Sequence, residues 1–217
     1  MASSCAENYS WDNFVQNGVY EINDMSSNQI FKVYCDFTSE ANFVWTLVES
    51  FKYDRRGDFN FPFYEDLPIN ENDPQFLEHR LSQSTMAHIL SYATHLRATC
   101  EFEKGSLSNA DYLRGKVADL DLMVQLYGPC ITFEQISIRS VGCSDCQAKY
   151  WAGSGMHAHI ASTMGESCSC PNCVVWLGTN SEDSFGLYGT RSTDHRCARD
   201  NQATTQWWLG VNKISPQ

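Results

Sequence analysis

Ten cysteines constrain this 217-residue chain more than any other feature. They are Cys5, Cys35, Cys100, Cys130, Cys143, Cys146, Cys168, Cys170, Cys173 and Cys197. An even set at this density points to an oxidising compartment, because the cytosol keeps thiols reduced. The chain is therefore expected to be secreted and extracellular. Its opening, MASSCAENYSW, has neither the basic nor the apolar segment of a secretion signal. Such a signal is expected to lie upstream or to have been replaced by the starting Met. Asn8-Tyr9-Ser10 is a glycosylation sequon, in keeping with a glycoprotein. A net charge of −11 repels phosphate backbones and anionic membranes, which argues against nucleic-acid partners. No run of eighteen apolar residues is present, so no membrane span is expected.

Periodicity places the secondary structure. In NGVYEINDMSSNQIFKVYCDF, two runs that alternate apolar and polar residues flank a turn-forming NDMSSN, the pattern of a β-hairpin with Cys35 facing inward. Phe43–Ser50 reads as a third strand. Residues 51–75 read as an ordered loop, because their aromatics need burial. Leu81, Met86, Ile89, Leu90 and Ala93 form a helical stripe, with Ser84 as its N-cap. HLRATCEF alternates again, as does KVADLDLMVQLYG over residues 116–128. CITFEQISIRSVGC needs a bulge for Ile131, Phe133, Ile136 and Ile138 to share a face. VVWLG (174–178) and TTQWWLGV (204–211) read as short closing strands. The expected fold is one α+β domain: a mainly antiparallel twisted sheet, one clear helix and long disulfide-stapled loops.

These segments carry a resemblance. Cys5, NGVYEI, FKVYCDF and VWTLVES, in that order, resemble the opening of the fibrinogen C-terminal-like domain, and WTLV is also similar to intelectins. LSQSTMAHILSYATHLRATCEF and ADYLRGKVADLD extend the likeness, so that residues 5–121 are family-like and 122–217 are a divergent, cysteine-rich part of a single domain. The tail SFGLYGTRSTDHRCARDNQATTQWWLG is similar to fibrinogen-like secreted matrix proteins of corals. The resemblance implies a Cys5–Cys35 disulfide. It also implies a lectin-like module that binds carbohydrate or a glycosylated surface, with calcium ordering a loop. The acidic stretch TNSEDSFG makes Glu182 and Asp183 the first calcium ligands to consider. The family's aspartate-rich loop and its Trp-Trp-x-x-Cys segment have no counterpart here, since no cysteine follows Trp207 and Trp208.

Other constellations stand apart from the resemblance. CSDC and CPNC have the spacing of a four-thiolate zinc site at Cys143, Cys146, Cys170 and Cys173, with disulfides as the favoured rival. His157 and His159 in MHAHI share one side of an extended segment, where they would chelate a metal, contact a ligand or simply face solvent. Trp151, Trp176, Tyr188, Trp207 and Trp208 gather late in the chain, and aromatic rings stack on sugar faces. The same rings serve a core equally well, and alternation must bury Trp207 or Trp208. The candidate ligand-binding set is Trp151, His157, His159, Trp176, Tyr188 and Trp207. No G-x-S-x-G elbow, P-loop or dinucleotide fingerprint occurs, so the sequence points to recognition and not to an enzyme. The alternative is a structural extracellular-matrix component that binds other matrix proteins and has no discrete sugar pocket.

Overall fold

The alternation of the first hairpin becomes β1 (Gly18–Asp24) and β2 (Gln29–Asp36), paired antiparallel with Gly18 opposite Cys35. A computed structural model describes residues 2–11, 15–25, 27–105, 107, 111–161, 168, 183–189 and 191–213. The strands that follow are β3 (Phe43–Lys52), β4 (Glu78–Arg80), β5 (His95–Cys100), β6 (Tyr112–Lys116), β7 (Leu126–Ile138), β8 (Val141–Ala152), β9 (His159–Ile160) and β10 (Thr204–Asn212). Two α-helices, α1 (Cys5–Trp11) and α2 (Gln83–Tyr92), accompany them. The sheet runs β1-β2-β3-β10-β5-β6-β7-β8-β9, with β4 beside β3, and every named strand pair is antiparallel.

Several local expectations shift. Ser82, not Ser84, caps α2: it is extended, at ψ 158°, and its Oγ accepts from the Thr85 amide at 3.3 Å. Ser84 lies one position inside the first turn. Residues 116–128 are not one strand. β6 ends at Lys116, Leu120 and Leu122 turn into the core, and Asp121 Oδ1 accepts from the Met123 amide at 2.8 Å, a local Asx turn that breaks the ladder. The bulge in β7 falls between Tyr127 and Cys130, where Gly128 has φ +73° and a side chain would overlap the Trp151 ring. VVWLG lies outside the described residues.

The largest correction concerns TTQWWLGV. It closes nothing at an edge: β10 lies between β3 and β5 at the middle of the sheet. Both faces are covered there, so Trp207 and Trp208 are both buried, on opposite sides. Trp207 joins the major core with Val44, Val48, Phe51, Phe63, Met86, Ile89 and Leu209, beneath the two helices. Trp208 joins Phe43, Trp45 and Leu47 in a smaller cluster on the other face. Gly210 is required between them, because a side chain there would overlap the Trp45 ring.

A second bulge opposite Trp207 and Trp208 lets Val48 and Glu49 share the major face. Glu49 thereby enters the core, and its carboxylate meets Arg80 Nη1 at 2.7 Å and the His157 Nε2 atom. Arg80 also donates to the Pro62 and Glu65 carbonyls, at 2.6 and 3.1 Å. The network thus clamps the 51–75 loop, with Phe59 and Phe63 buried beneath it, onto β3. Burial alone would push the Glu49 carboxyl up, but His157 and Arg80 outweigh it and hold the group below the usual glutamate range.

Four disulfides are formed among the described residues: Cys5–Cys35, Cys100–Cys197, Cys130–Cys168 and Cys143–Cys146. The first is the pair that the resemblance implies. The last removes two of the four thiolates of the zinc alternative, because a bonded sulfur is no thiolate. Cys170 and Cys173 lie outside the described residues. The Asn8 amide nitrogen is buried, so the sequon presents no accessible attachment atom in this structure.

Arg80→Met leaves the buried Glu49 carboxylate with His157 as its remaining partner and is expected to cost about 3 kcal/mol in urea unfolding. Because the folded-state pKa of Glu49 lies below its unfolded value, its contribution is complete above the unfolded value and is lost as pH falls through the folded one. Glu49→Gln should therefore flatten the acid limb of a stability–pH curve. Replacing Cys100 and Cys197 by Ser opens a sequence separation of 97 and should cost about 4–5 kcal/mol, against about 2 kcal/mol for Cys143 and Cys146, separated by 3. Paired denaturation curves would show the difference.

Candidate ligand-binding cleft

The smaller face of the sheet is built around a cation. Arg97 in β5 stands opposite Trp208 in β10 and is fully buried. Its guanidinium lies 4.6 Å from the Trp45 ring centroid, 4.5 Å from that of Trp208 and 5.2 Å from that of Phe102. Such a charge is tolerable only when paired and hydrogen-bonded. Nη2 donates to Asp36 Oδ2 at 2.7 Å, while Nη1 donates to Ser39 Oγ and Glu40 Oε1, both at 2.9 Å. Burial would raise the Asp36 carboxyl, but Arg97 and the Ser39 hydroxyl outweigh that and hold it low. β2, the loop after it and β5 are thus tied at one point.

Three loops cover this face, bringing Ser39 and Glu40, then Phe76, then Phe102 over the tryptophans. Where they stop short of one another they leave a cleft of about 590 Å³. Tyr34, Phe76 and Phe102 form its aromatic lining; Asn17, Thr38, Ser39 and Glu103 supply polar groups, with Gly105 and Leu107 at the margin. The Tyr34 and Phe76 rings meet edge to face at 5.0 Å, Phe76 and Phe102 lie 5.8 Å apart, and Phe102 rests 4.6 Å from Trp208. Burial, reinforced by the Asp36 charge, raises the Tyr34 phenol, so it stays a neutral donor at physiological pH.

Phe102 and Glu103 owe their position to a single 3-10 turn, Phe102–Lys104. Gly105 ends the turn at φ +93°, a conformation glycine adopts freely, and returns its amide to the Phe102 carbonyl at 3.0 Å. Glu103 is held from behind by the Thr204 hydroxyl at 2.8 Å and the Gln206 amide at 3.2 Å.

Among the described residues, none of the late ones singled out in the sequence lines this cleft. Trp207 is a core residue whose indole donates to the Phe185 carbonyl at 2.7 Å. Tyr188 is buried, with its hydroxyl 2.9 Å from that of Thr205. Trp151 packs over Gly128 at the β7 bulge. His157 and His159 are buried and do not face solvent: His157 belongs to the Glu49 network, and His159 Nδ1 donates to the His157 carbonyl at 2.6 Å. Burial presses the His159 imidazole towards its neutral form. Asp183 lies 3.6 Å from His159 Nε2. Trp176 and Glu182 lie outside the described residues. Cys100, His195 and Cys197 approach one another closely enough to hold a metal, but the two sulfurs are bonded to each other.

The cleft residues went unrecognised because their signal is not local. Tyr34 is the polar-phase residue of a strand, Phe76 follows a proline-rich loop, and Phe102 ends a strand-like run. Arg97 reads as a polar-phase residue of an alternating strand, so its burial carries no local signal either.

Arg97→Lys keeps the charge but loses the planar fork, since one ammonium cannot reach three acceptors and three rings together. It is expected to cost about 1–3 kcal/mol and to alter the near-ultraviolet dichroism of Trp45 and Trp208. An unchanged spectrum would show that the guanidinium does not order the face. No protein-family model matches the chain, and no curated protein matches it significantly, so the functional reading rests on this geometry.

Proposed function

We propose that the protein is a secreted, fibrinogen-like recognition module that binds carbohydrate, without catalysis, in the cleft of Tyr34, Phe76 and Phe102. The observation that carries this reading is the lining itself: three aromatic side chains beside amide, hydroxyl and carboxylate groups, over a rigid floor. Sugars offer apolar faces for rings and hydroxyls for such polar groups. The order of Cys5, the hairpin and the Trp-Thr strand supports the fibrinogen-like assignment. The four disulfides suit an oxidising compartment. Glu103 is the one carboxylate in the described lining, whereas calcium takes six to eight oxygen ligands. With one carboxylate in the described lining, the reading expects binding at this cleft to persist without calcium, unlike the dependence that the resemblance implies.

A glycan array with folded, oxidised protein tests the reading. Binding should survive excess chelator, and Tyr34→Ala or Phe76→Ala should weaken it about tenfold, as expected for loss of a stacking ring. Binding that vanishes with chelator, or that ignores both variants, would place the site elsewhere.

One observation favours the matrix alternative. β1 is an edge strand, and its hairpin exposes Val19, Met25 and Ile30 at 50%, 73% and 56%. Unpaired edges with apolar side chains invite pairing with another chain. Glycan-silent protein that self-associates in sedimentation, and stops doing so as Val19→Lys, would support this second reading.

A further inference from the structure

Among the described residues, Glu103 differs from the other carboxylates around the smaller face. Asp36 and Glu40 are matched by Arg97, and Glu40 also by Arg114 at 3.1 Å. Glu101 is matched by Lys104 and by Arg199 at 2.9 Å. Glu134 is matched by Arg114 at 3.0 Å and faces His95 at 3.4 Å. The cations of this face are thus committed. The hydrogen bonds that Glu103 accepts come from the neutral groups of Thr204 and Gln206. They fix the carboxylate without neutralising it, and an ionised carboxylate has about four acceptor sites. It stands in the cleft lining alongside Tyr34, Phe76 and Phe102.

We infer that the cleft selects a ligand carrying a protonated amine, an amino sugar in the terms of the carbohydrate reading on which this inference rests, with Glu103 as the charge that selects it. A fixed, unneutralised carboxylate attracts an ammonium and repels a uronate, sulfate or sialic acid. Aromatic rings add to this, since their negative faces favour a cation over a neutral group of equal size. The same floor already holds one cation between rings, as Arg97 lies within 5.2 Å of the Trp45, Trp208 and Phe102 centroids. A second, ligand-borne cation above Phe76 and Tyr34 would find in Glu103 the one carboxylate without a cationic partner among the described residues of the face. An N-acetylated sugar keeps the stacking and loses the ion pair, so it binds more weakly at the same place.

An NMR titration separates the possibilities, using methyl β-glucosaminide and its N-acetylated counterpart against wild type and Glu103→Gln at pH 6. The single charge of the amine ligand limits nonspecific attraction to a protein of net charge −11. The expected result is about tenfold tighter binding of the amine by wild type, with Trp208 indole shifts, and near-equal binding of both ligands by Glu103→Gln. Equal affinities in wild type would overturn the inference and leave the carbohydrate reading standing. So would a preference unchanged in Glu103→Gln, since bulk charge would then explain it. Binding of neither ligand, while other glycans on the array bind, would likewise overturn the inference alone. Silence towards every glycan would overturn both.

Discussion

Two consecutive tryptophans buried on opposite faces of β10 are the constraint on which the rest depends. A strand can bury adjacent residues only if both of its faces are covered, so the sheet needs a cover on each side at that point. The helices and the 51–75 loop provide one; the loops bearing Ser39, Phe76 and Phe102 provide the other. Each cover is pinned by a buried ionic network next to one of the indoles. Glu49, Arg80 and His157 lie on the Trp207 side, with Asp36, Glu40 and Arg97 on the Trp208 side. Buried charges of this kind add little net stability over an apolar core, but breaking one member is costly.

The position of β10 also makes the fold strongly non-local. The strand completes ladders with β3 and β5, more than a hundred residues earlier. The Cys100–Cys197 bond joins the end of β5 to the segment that leads into β10. Such a chain must close a long loop before its central pairing is rewarded, and the disulfide removes much of that entropy from the unfolded state.

The cleft follows from this architecture. Its floor is the cluster around Arg97, its walls are loop residues held by that cluster, and the Glu103 carboxylate in its lining is fixed from behind by side chains of β10. Recognition chemistry on such a base needs little rearrangement on binding, which is how rigid sites keep more of their contact energy.

The sequence by itself determined the local elements: the first hairpin, the Phe43 strand, the helix, the strand of Arg97 and the need for an ordered, aromatic loop after β3. Alternation, helical spacing and turn chemistry act over a few residues, so they are legible without the fold. The Cys5–Cys35 bond was legible through resemblance. Tertiary structure decided that TTQWWLGV is central, because strand order depends on partners far away in the chain. It decided that His157 enters a core network, because that required a bulge at Glu49. It also decided which aromatics stay near solvent. Trp207 and Tyr188 are covered, whereas Tyr34, Phe76 and Phe102, from three separate segments, meet around a cleft that no single stretch of sequence encodes.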